Sequence, residues 1–358
     1  MPRHSNTSRP SVKWRKRPRK PRVGNGGTDS AVLKTTGQAV GRRLWTTGQH
    51  RCCLPTRWRE IMSNAAIDLS DAANAVLQAS ASKKVDWIMA DAWVHTPTTT
   101  IAFQWMAYMH RCGAVMRPPC LQIIADGGMG KTAVLLAYAE LYPVQETDDP
   151  LRLQRPVVYV ECKPEYSGER SVRHAILKAC WPRAKRIAGT EEEVDATLRA
   201  QGVRMLLLDE FGELTKAGAA SHRRALSELK RLSNTARIGI VAATVSNLAH
   251  VLDVDQQFAS RFKRKITIGP WALSNVLRNF VYGLQRNLPF PERSQLDDSN
   301  CLPLIAQHSE GNTKEIVEVV RLAALHALDS GAERIEYAHL KLAIDSPSPP
   351  GIALSSVA

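Results

Sequence analysis

The sequence predicts an α/β fold in which a parallel β-sheet is sandwiched by helices and is followed by an α-helical lid. Residues 120–124 form an apolar run that ends at a glycine-rich segment. Residues 203–208 form a second apolar run that ends at two acidic residues. Short β-branched runs alternate with helical patterns before Trp271 and only helical patterns follow it, which favours parallel strands with right-handed crossovers and then a helical part.

The elements before the sheet are expected to be mainly helical. Residues 69–81 carry small and apolar residues at helical spacing. Residues 86–111 are expected to hold a short strand or turn and then a helix. Pro97 lies near the start of that helix, where proline is tolerated.

The remaining elements alternate between strand and helix and then become helical only. Thr190 is the expected N-cap of one helix, with Glu193 at the capping-box position. Strands are predicted at residues 157–160, 203–208 and 238–243, and helices at 133–141, 172–180, 191–200 and 221–235. Lid helices are predicted at residues 273–288, 301–308, 313–328 and 337–343.

Residues 125–132 have the pattern of a phosphate-binding loop between a strand and a helix. Glycines let such a loop curl so that its N–H groups face a phosphate at the positive end of the next helix. Lys131 is expected to reach the β- and γ-phosphates, and the Thr132 hydroxyl to ligate Mg²⁺. Ala125 stands where the usual pattern begins with glycine, which we interpret as a variant. The residues expected around the nucleotide are Gly127, Gly128, Met129, Gly130, Lys131, Thr132 and Ala133.

Asp209 and Glu210 follow a run whose continuous apolar character is typical of a strand buried on both faces. Acidic residues at the carboxyl end of such a strand lie where open α/β sheets bind ligands. We expect Asp209 to hold the Mg²⁺ shell and Glu210 to polarise an attacking water. The two motifs therefore favour ATP hydrolysis over phosphoryl transfer to a substrate.

Three further residues are candidates to complete the site. Thr244 ends the strand after the acidic one and is expected to bind the attacking water or the γ-phosphate, with Ser246 or Asn247 as alternatives. Arg261 is expected on the rim of the core, where it could act as an arginine finger for a neighbouring subunit or belong to a solvated basic turn. Lys314 lies at the start of a lid helix. It is expected to be either a phosphate sensor or a plain surface charge.

The composition is that of an ordinary globular protein, with 44% hydrophobic and 23% charged residues. No apolar run approaches the roughly 20 residues that span a membrane, and the basic N-terminus does not resemble a secretory signal. The chain has seven cysteines, an odd number without a CxxC pair, which argues against a disulfide framework or a zinc site. We expect a cytoplasmic protein.

The net charge of +14 lies almost entirely in the first 61 residues. Residues 1–61 hold 15 Lys or Arg against two acidic residues, whereas residues 62–358 hold 33 against 32. Such a segment is expected to be a disordered basic arm, able to bind nucleic acid without reading bases. The alternative is that translation starts at Met62. We further expect an α/β core with its helical lead-in at 62–268, a lid at 269–345 and a disordered proline-rich tail at 346–358.

These motifs together resemble the AAA+ ATPases, and more narrowly the TniB and TnsC proteins of transposons. The Walker motifs are widely shared, and the flanking segments carry the narrower resemblance over about residues 83–345. Those segments are residues 86–94, 269–273, 287–290, 309–311, 321–324 and 331–335.

The resemblance implies a non-sequence-specific DNA-binding switch in the prokaryotic cytoplasm, associated with the nucleoid. ATP and Mg²⁺ would bind between subunits, with Arg261 of one completing the site of the next, in a ring or helical filament on double-stranded DNA. The filament would mark target DNA and recruit the transposase, alongside a TniQ-like targeting protein. The DNA contacts it implies are Lys163, Arg170, Arg173, Lys185, Arg186 and Thr190.

Three other functions remain open at this stage. A replication initiator or helicase loader is the nearest, and it predicts a C-terminal DNA-reading domain. A small-molecule kinase predicts an acceptor pocket and no intersubunit arginine. A scaffold with a degenerate site is disfavoured by intact Lys131, Thr132, Asp209 and Glu210.

Overall fold

The computed structural model describes residues 69–112, 115–147, 153–166, 168–216, 218–253, 256–346 and 350–351. The chain divides into a unit of residues 1–52 and a unit of residues 53–358, and every described residue belongs to the second. The predicted basic arm, including the alternative start at Met62, lies outside the described residues. So does most of the predicted tail.

A parallel sheet of five strands forms the centre of the described chain, with the order β4-β5-β6-β1-β7. The strands in chain order are β1 (Leu121–Ala125), β2 (Gln145–Glu146), β3 (Leu153–Gln154), β4 (Val157–Glu161), β5 (Met205–Asp209), β6 (Gly239–Thr244) and β7 (Arg264–Ile268). The strands β2 and β3 form a separate antiparallel pair. The predicted parallel sheet is confirmed.

Helices surround this sheet and continue beyond it. Those before β7 are α1 (Asp71–Val76), α2 (Ala81–Met89), α3 (Pro97–Cys112), α4 (Lys131–Glu140), α5 (Glu169–Cys180), α6 (Glu191–Ala200), α7 (Ala219–Thr235) and α8 (Gln256–Ala259). Those after it are α9 (Asn275–Gln285), α10 (Cys301–Ser309), α11 (Thr313–Asp329) and α12 (Tyr337–Asp345). Segments of 3₁₀ helix span Pro164–Tyr166, Phe211–Thr215 and Ser246–Asp253.

Each face of the sheet is covered by its own layer of helices. On one face, Phe103 of α3 and Tyr138 of α4 pack with Ile123 of β1. On the other, α5, α6 and α7 pack with the alternate residues of the strands, such as Leu208 of β5. Because β1, β5 and β6 are buried along their whole length, the continuous apolar runs of the sequence match sheet strands covered on both sides.

The helices after β7 have a hydrophobic core of their own, as the predicted lid requires. Val85 and Ile88 of α2 also belong to this core. In addition, Trp87 donates from Nε1 to the carbonyl of Asn287 at 2.7 Å. The helix α2 therefore packs against the lid.

Within the described residues, no helix is both long and apolar enough to cross a membrane.

Three details of the predicted elements are wrong. The strand β7 is missing from the prediction, because Arg264 and Lys265 make its start look like a basic turn. Charged residues are common on edge strands such as this one, where they discourage pairing with other chains. The single helix predicted over residues 69–81 is two helices, with Ser70 and Ser80 as their N-caps. Residues 86–89 are helical and not a strand or turn, because the apolar residues at 85 and 88 form one helix face.

Candidate functional site

The loop between β1 and α4 lies at the carboxyl edge of the sheet, where β5 and β6 also end. Gly128 has a φ of +74° and Gly130 a φ of +93°, so both occupy backbone conformations that glycine adopts readily. A Cβ at Gly128 would lie 2.5 Å from the Asn312 side chain. The loop therefore needs glycine at position 128 for both its turn and its contact with the lid.

Lys131, the first residue of α4, is buried with its ammonium group directed back to the loop. Its Nζ donates to the carbonyls of Ala125 at 2.9 Å and Asp126 at 3.2 Å. The Glu210 carboxylate lies 3.9 Å from the same Nζ. The predicted phosphate-binding lysine and the predicted water-polarising acid are thus brought together. Thr132 and Ala133 are exposed beside them.

Asp209 is buried at the end of β5, and both of its carboxylate oxygens are held. Oδ2 accepts from the Tyr159 hydroxyl at 2.9 Å, and Oδ1 accepts from the Glu210 N–H at 2.9 Å. Burial raises the pKa of Tyr159, and the nearby Asp209 carboxylate raises it further, so the hydroxyl keeps its proton and donates. Since each carboxylate oxygen has a second lone pair, the held carboxylate can still contact the water shell of a cation.

Glu210 directly follows the strand in a left-handed backbone conformation, with a φ of +46°. Such a conformation costs a non-glycine residue about 1–2 kcal/mol, and strained residues are concentrated at functional sites. The conformation leaves the side chain 43% exposed beside Lys131. Glu210 can therefore reach both a phosphate group and solvent water.

Thr244 ends β6, next to β5 in the sheet, as the sequence predicts for a polar residue near the acidic pair. Its Oγ1 accepts from Gln122 Nε2 at 3.0 Å. The alternatives Ser246 and Asn247 are exposed in the following 3₁₀ segment. The N–H of Ser246 donates to Asp126 Oδ1 at 3.3 Å, so the segment after β6 contacts the glycine-rich loop.

The lid meets this loop through the N-terminus of α11. Asn312, the N-cap of that helix, donates from Nδ2 to the carbonyl of Gly127 at 3.0 Å and accepts from the Lys314 N–H at 3.0 Å. The Lys314 N–H also donates to the carbonyl of Gly128 at 2.9 Å. The Lys314 ammonium is exposed, 3.9 Å from Glu315. It is the backbone of Lys314 and the side chain of Asn312 that contact the loop.

Replacing Asn312 by Ala is expected to lower the unfolding free energy by about 1 kcal/mol or more, since it removes an N-cap and a contact with the loop. The matched variant Asn312→Ser keeps a capping oxygen but is too short to bridge to Gly127, so its loss is expected to be smaller. Urea denaturation of the two variants measures the difference. Equal stability of both variants and wild type would show that this lid contact does not stabilise the fold.

Arg261 lies at the opposite, amino edge of the sheet. Its carbonyl accepts from the N–H of Cys120, which immediately precedes β1. Its guanidinium donates to Ser233 Oγ at 2.9 Å and to the side chain of Asn234. From Cys120 the five residues of β1 span about 16 Å at roughly 3.3 Å each. Arg261 is therefore not part of its own chain's nucleotide site.

Of the predicted DNA-contacting residues, Lys163 lies in the loop after β4, and the others lie on α5 or on the linker between α5 and α6. This linker runs back along α5, because Lys178 donates to the carbonyl of Ala184 at 3.4 Å and Arg170 to that of Ala188 at 3.3 Å. The exposed basic members of the predicted set are Lys163, Arg170, Lys185 and Arg186, and Thr190 is exposed as well. The Thr190 hydroxyl accepts from the Glu193 N–H at 3.2 Å as the predicted N-cap of α6. The Glu193 carboxylate accepts from the Gly189 N–H, one residue before the position that a capping box uses.

Arg173 differs from the exposed set, because its side chain is 12% exposed and is held inside the protein. It donates to the carbonyl of Gly189 at 2.9 Å and to the buried Glu228 at 3.0 Å. Breaking a buried ion pair by removing one partner is strongly destabilising. The structure thus gives Arg173 a role in fixing the linker, and its contact with DNA stays a prediction.

Three residues around this site were missed by the sequence-based prediction. Tyr159 and Gln122 lie within strands, where the sequence marks them only as polar exceptions in apolar runs. Asn312 had a usable signal, since asparagine before a helix is a strong N-cap. The contact of that cap with the glycine-rich loop requires the three-dimensional fold.

The described site has the parts of an AAA+ nucleotide site: a phosphate-type loop, an acidic strand end, a polar strand end beside it and a lid that touches the loop. With the parallel sheet in the order β4-β5-β6-β1-β7, they define the chain as a protein of the AAA+ P-loop fold. Residues 84–273 match the family described as "Bacterial TniB protein". This match covers more than half of the chain, which belongs to the TniB family.

Solved structures show the same fold at low sequence identity. The ORC1 protein of Aeropyrum pernix in complex with DNA is 19% identical, with a TM-score of 0.52 over 72% of this chain and 68% of that one. The ORC2 protein of the same organism, with ADPNP and ADP, is 14% identical, with a TM-score of 0.53 over 72% and 71%. No curated protein matches the chain in sequence. These likenesses support the fold alone.

Proposed function

We propose that this protein is an ATP-hydrolysing regulator that assembles on double-stranded DNA without sequence specificity, marks target sites and recruits a transposase. The observation that carries the proposal is the meeting of Lys131 with Glu210, at 3.9 Å, in a chain of the TniB family. ATP hydrolysis needs a cation that binds the phosphates and an acid that polarises the attacking water, and Lys131 and Glu210 supply both. The resemblance to transposon proteins suggests that hydrolysis serves transposition.

The side chains fit a nucleoside triphosphate. Phosphate oxygens would take the place of the carbonyls of Ala125 and Asp126 as partners of the Lys131 ammonium. Thr132 and Asp209 would hold Mg²⁺, which when bound neutralises phosphate charge. Glu210 would accept a proton from the attacking water while Thr244 contacts the γ-phosphate. Lys314 would serve through its backbone, next to Asn312, and not through its ammonium.

The DNA contact is proposed for Lys163, which precedes α5, and for the exposed basic residues along α5 and its linker. These residues place positive charge at the surface of the protein. Such charges bind phosphates and do not by themselves read the sequence of bases. The linker residues Lys185 and Arg186 are exposed, and the bonds of Arg170 and Arg173 hold the linker in place. A TniQ-like protein is proposed as a further partner on the strength of the family resemblance.

A replication initiator or helicase loader is the second candidate, because the chain is similar in fold to an ORC1 protein in complex with DNA. Both functions need ATP and DNA. They differ in the protein that the assembled complex recruits. Stimulation of strand transfer by a transposase encoded beside this chain is expected under the first proposal, and loading of a helicase under the second.

Electron microscopy of the full chain with double-stranded DNA tests the assembly directly. With ATP and Mg²⁺ we expect continuous coating of DNA of unrelated sequences, and without nucleotide we expect bare DNA. Coating restricted to one sequence, or independent of ATP, would contradict the proposal. The same reactions with the transposase added test recruitment.

Removing the charges of Lys185 and Arg186 together is expected to weaken DNA binding equally on all sequences. Loss of two phosphate contacts lowers the slope of log affinity against log salt by about 1.8, at about 0.9 per contact. Salt titrations by fluorescence anisotropy measure this slope. The matched control replaces Lys83 and Lys341, two exposed lysines outside α5 and its linker. An equal change of slope in both double variants would show only an effect of net charge.

A further inference from the structure

Gln122 is a fully buried amide inside the sheet, with 0% of its surface exposed. It is the second residue of β1, which lies between β6 and β7. Burying an amide costs free energy unless its hydrogen bonds are replaced. The neighbours in β1, Leu121 and Ile123, are apolar and pack in the core. A glutamine here needs a physical reason.

The hydrogen bonds of Gln122 supply one. Its Nε2 donates to the Ala249 carbonyl at 2.8 Å and to Thr244 Oγ1 at 3.0 Å. A carbonyl oxygen can only accept, so the amide nitrogen must face Ala249 and the amide cannot be turned around. The amide oxygen has no hydrogen-bond partner among the described residues. All of the polar pairing of Gln122 is thus directed to Thr244 and to the segment that follows it.

The sheet register places Gln122 and Thr244 diagonally across two neighbouring strands. Gln122 is paired with Ala242, and Ile124 with Thr244. Thr244 is thus two positions beyond the partner of Gln122, so the two side chains lie on the same face of the sheet, within reach of a long side chain. Gln122 therefore crosses from the strand of the phosphate-type loop to the polar end of β6.

This bond determines what the Thr244 hydroxyl can do. A hydroxyl has one hydrogen to donate and two lone pairs that accept. Because Gln122 donates, Thr244 accepts in this bond, and its own hydrogen stays available for another acceptor. Thr244 ends its strand at the carboxyl edge of the sheet, the edge at which Lys131 and Glu210 also lie, and the acceptor that suits its hydroxyl there is a phosphate oxygen or the attacking water.

We propose that Gln122 is a positioning residue for ATP hydrolysis, which fixes the Thr244 hydroxyl as a donor toward the γ-phosphate or the attacking water. The inference rests on the proposed function, since it needs the chain to hydrolyse ATP. Gln122 itself is fully buried. It acts through Thr244 and through the 3₁₀ segment Ser246–Asp253, whose Ala249 carbonyl it holds.

The test compares Gln122→Met, Thr244→Ala and the double variant in the full chain with ATP, Mg²⁺ and double-stranded DNA. Removing a donor to transition-state charge lowers kcat by about 10²–10³-fold. We expect a loss in this range for Thr244→Ala and about tenfold or more for Gln122→Met. Affinity for the non-hydrolysable analogue adenylyl imidodiphosphate should stay within about twofold, since phosphate binding rests on the loop. The double variant should be no slower than Thr244→Ala, because both changes remove one interaction.

A matched control separates positioning from general stability. Gln201 is likewise buried, donates from Nε2 to one carbonyl, that of Cys180 at 3.4 Å, and lies away from the carboxyl edge. Gln201→Met should therefore keep the wild-type kcat. An equal loss of kcat in both glutamine variants would overturn the proposal. So would additive losses in the double variant, or wild-type turnover in Gln122→Met or Thr244→Ala.

A second variant keeps the proposal testable if Gln122→Met does not fold. In Gln122→Glu the protonated carboxyl can donate one hydrogen bond, and the ionised carboxyl can donate none. The ratio of its kcat to that of wild type should fall as pH rises, with unchanged affinity for the analogue, and a constant ratio would refute the inference. A wild-type chain that turns over ATP no faster than Lys131→Ala would refute the proposed function itself.

Discussion

Glu210→Gln is expected to bind ATP as wild type does, to hydrolyse it about 10²–10⁴-fold more slowly and to remain assembled on DNA. Glutamine keeps the size of the side chain and the backbone N–H that donates to Asp209. It removes the negative charge that would polarise the attacking water. We propose that hydrolysis disassembles the complex, as the resemblance to the TniB and TnsC proteins implies, so a chain that binds ATP without hydrolysing it should accumulate on DNA.

Lys131→Ala is expected to fail at the earlier step. The alanine variant loses the ammonium group that lies at the loop and contacts Glu210 at 3.9 Å. Charge-assisted hydrogen bonds contribute about 1.5–3 kcal/mol each, so the affinity for ATP should fall by about tenfold to hundredfold or more. Without bound nucleotide this chain should leave DNA bare.

Equilibrium binding of a fluorescent ATP analogue, phosphate release and DNA pelleting measure the three steps separately. Glu213→Gln is the matched control, since Glu213 lies in the same turn but pairs with Lys216 at 2.6 Å. It should behave as wild type. Wild-type hydrolysis by Glu210→Gln would assign the water-polarising role to another residue.

The order of sheet and lid elements could be predicted because burial dictates residue type along them. The strand β5 is buried on both faces, and its apolar run stands out in the sequence. The edge strand β7 is half exposed and begins with Arg264, so its residues carry no comparable constraint. An edge strand has one neighbouring strand and one covered face, so its apolar residues form only a weak pattern in the sequence.

The candidate site divides in the same way. Its backbone-shaped parts, the glycine-rich loop and the acidic strand end, are contiguous in sequence and could be predicted. Tyr159, Gln122 and Asn312 act through partners that are 50, 122 and 185 residues away in the chain. Sequence spacing holds no information on such pairs, since sheet register and lid docking bring them together. The internal pairing of Arg173 could not be predicted for the same reason, because its partner Glu228 is 55 residues away.

We propose that Arg261 completes the nucleotide site of a neighbouring subunit. It lies at the amino edge of the sheet, whereas Lys131 and Glu210 lie at the carboxyl edge. A neighbour stacked head to tail would bring one edge against the other, and such contacts form rings or helices. Arg261 would then stabilise phosphate charge in the next subunit's site.

Arg261→Ala is therefore expected to bind ATP as a monomer, to assemble poorly and to lower kcat by about 10³-fold, the scale of an arginine finger. Mixing it with Lys131→Ala should restore activity, since each chain supplies what the other lacks. When equal amounts mix at random, about a quarter of the interfaces combine an intact Lys131 in one chain with an intact Arg261 in the next. Phosphate release by the mixture, against each variant alone, measures this rescue.

The control for this variant must keep the guanidinium while removing one of its two internal bonds. Asn234→Ala does so, because Asn234 accepts from Arg261 at the end of α7 and lies far from the loop. If Arg261 acts on a neighbour, Asn234→Ala should retain assembly and most of the turnover. If Arg261 only fastens β7 to α7, both variants should lose stability, Asn234→Ala less because the bond to Ser233 remains, and the mixture should show no rescue. Sedimentation velocity and phosphate release on the same samples decide between these outcomes.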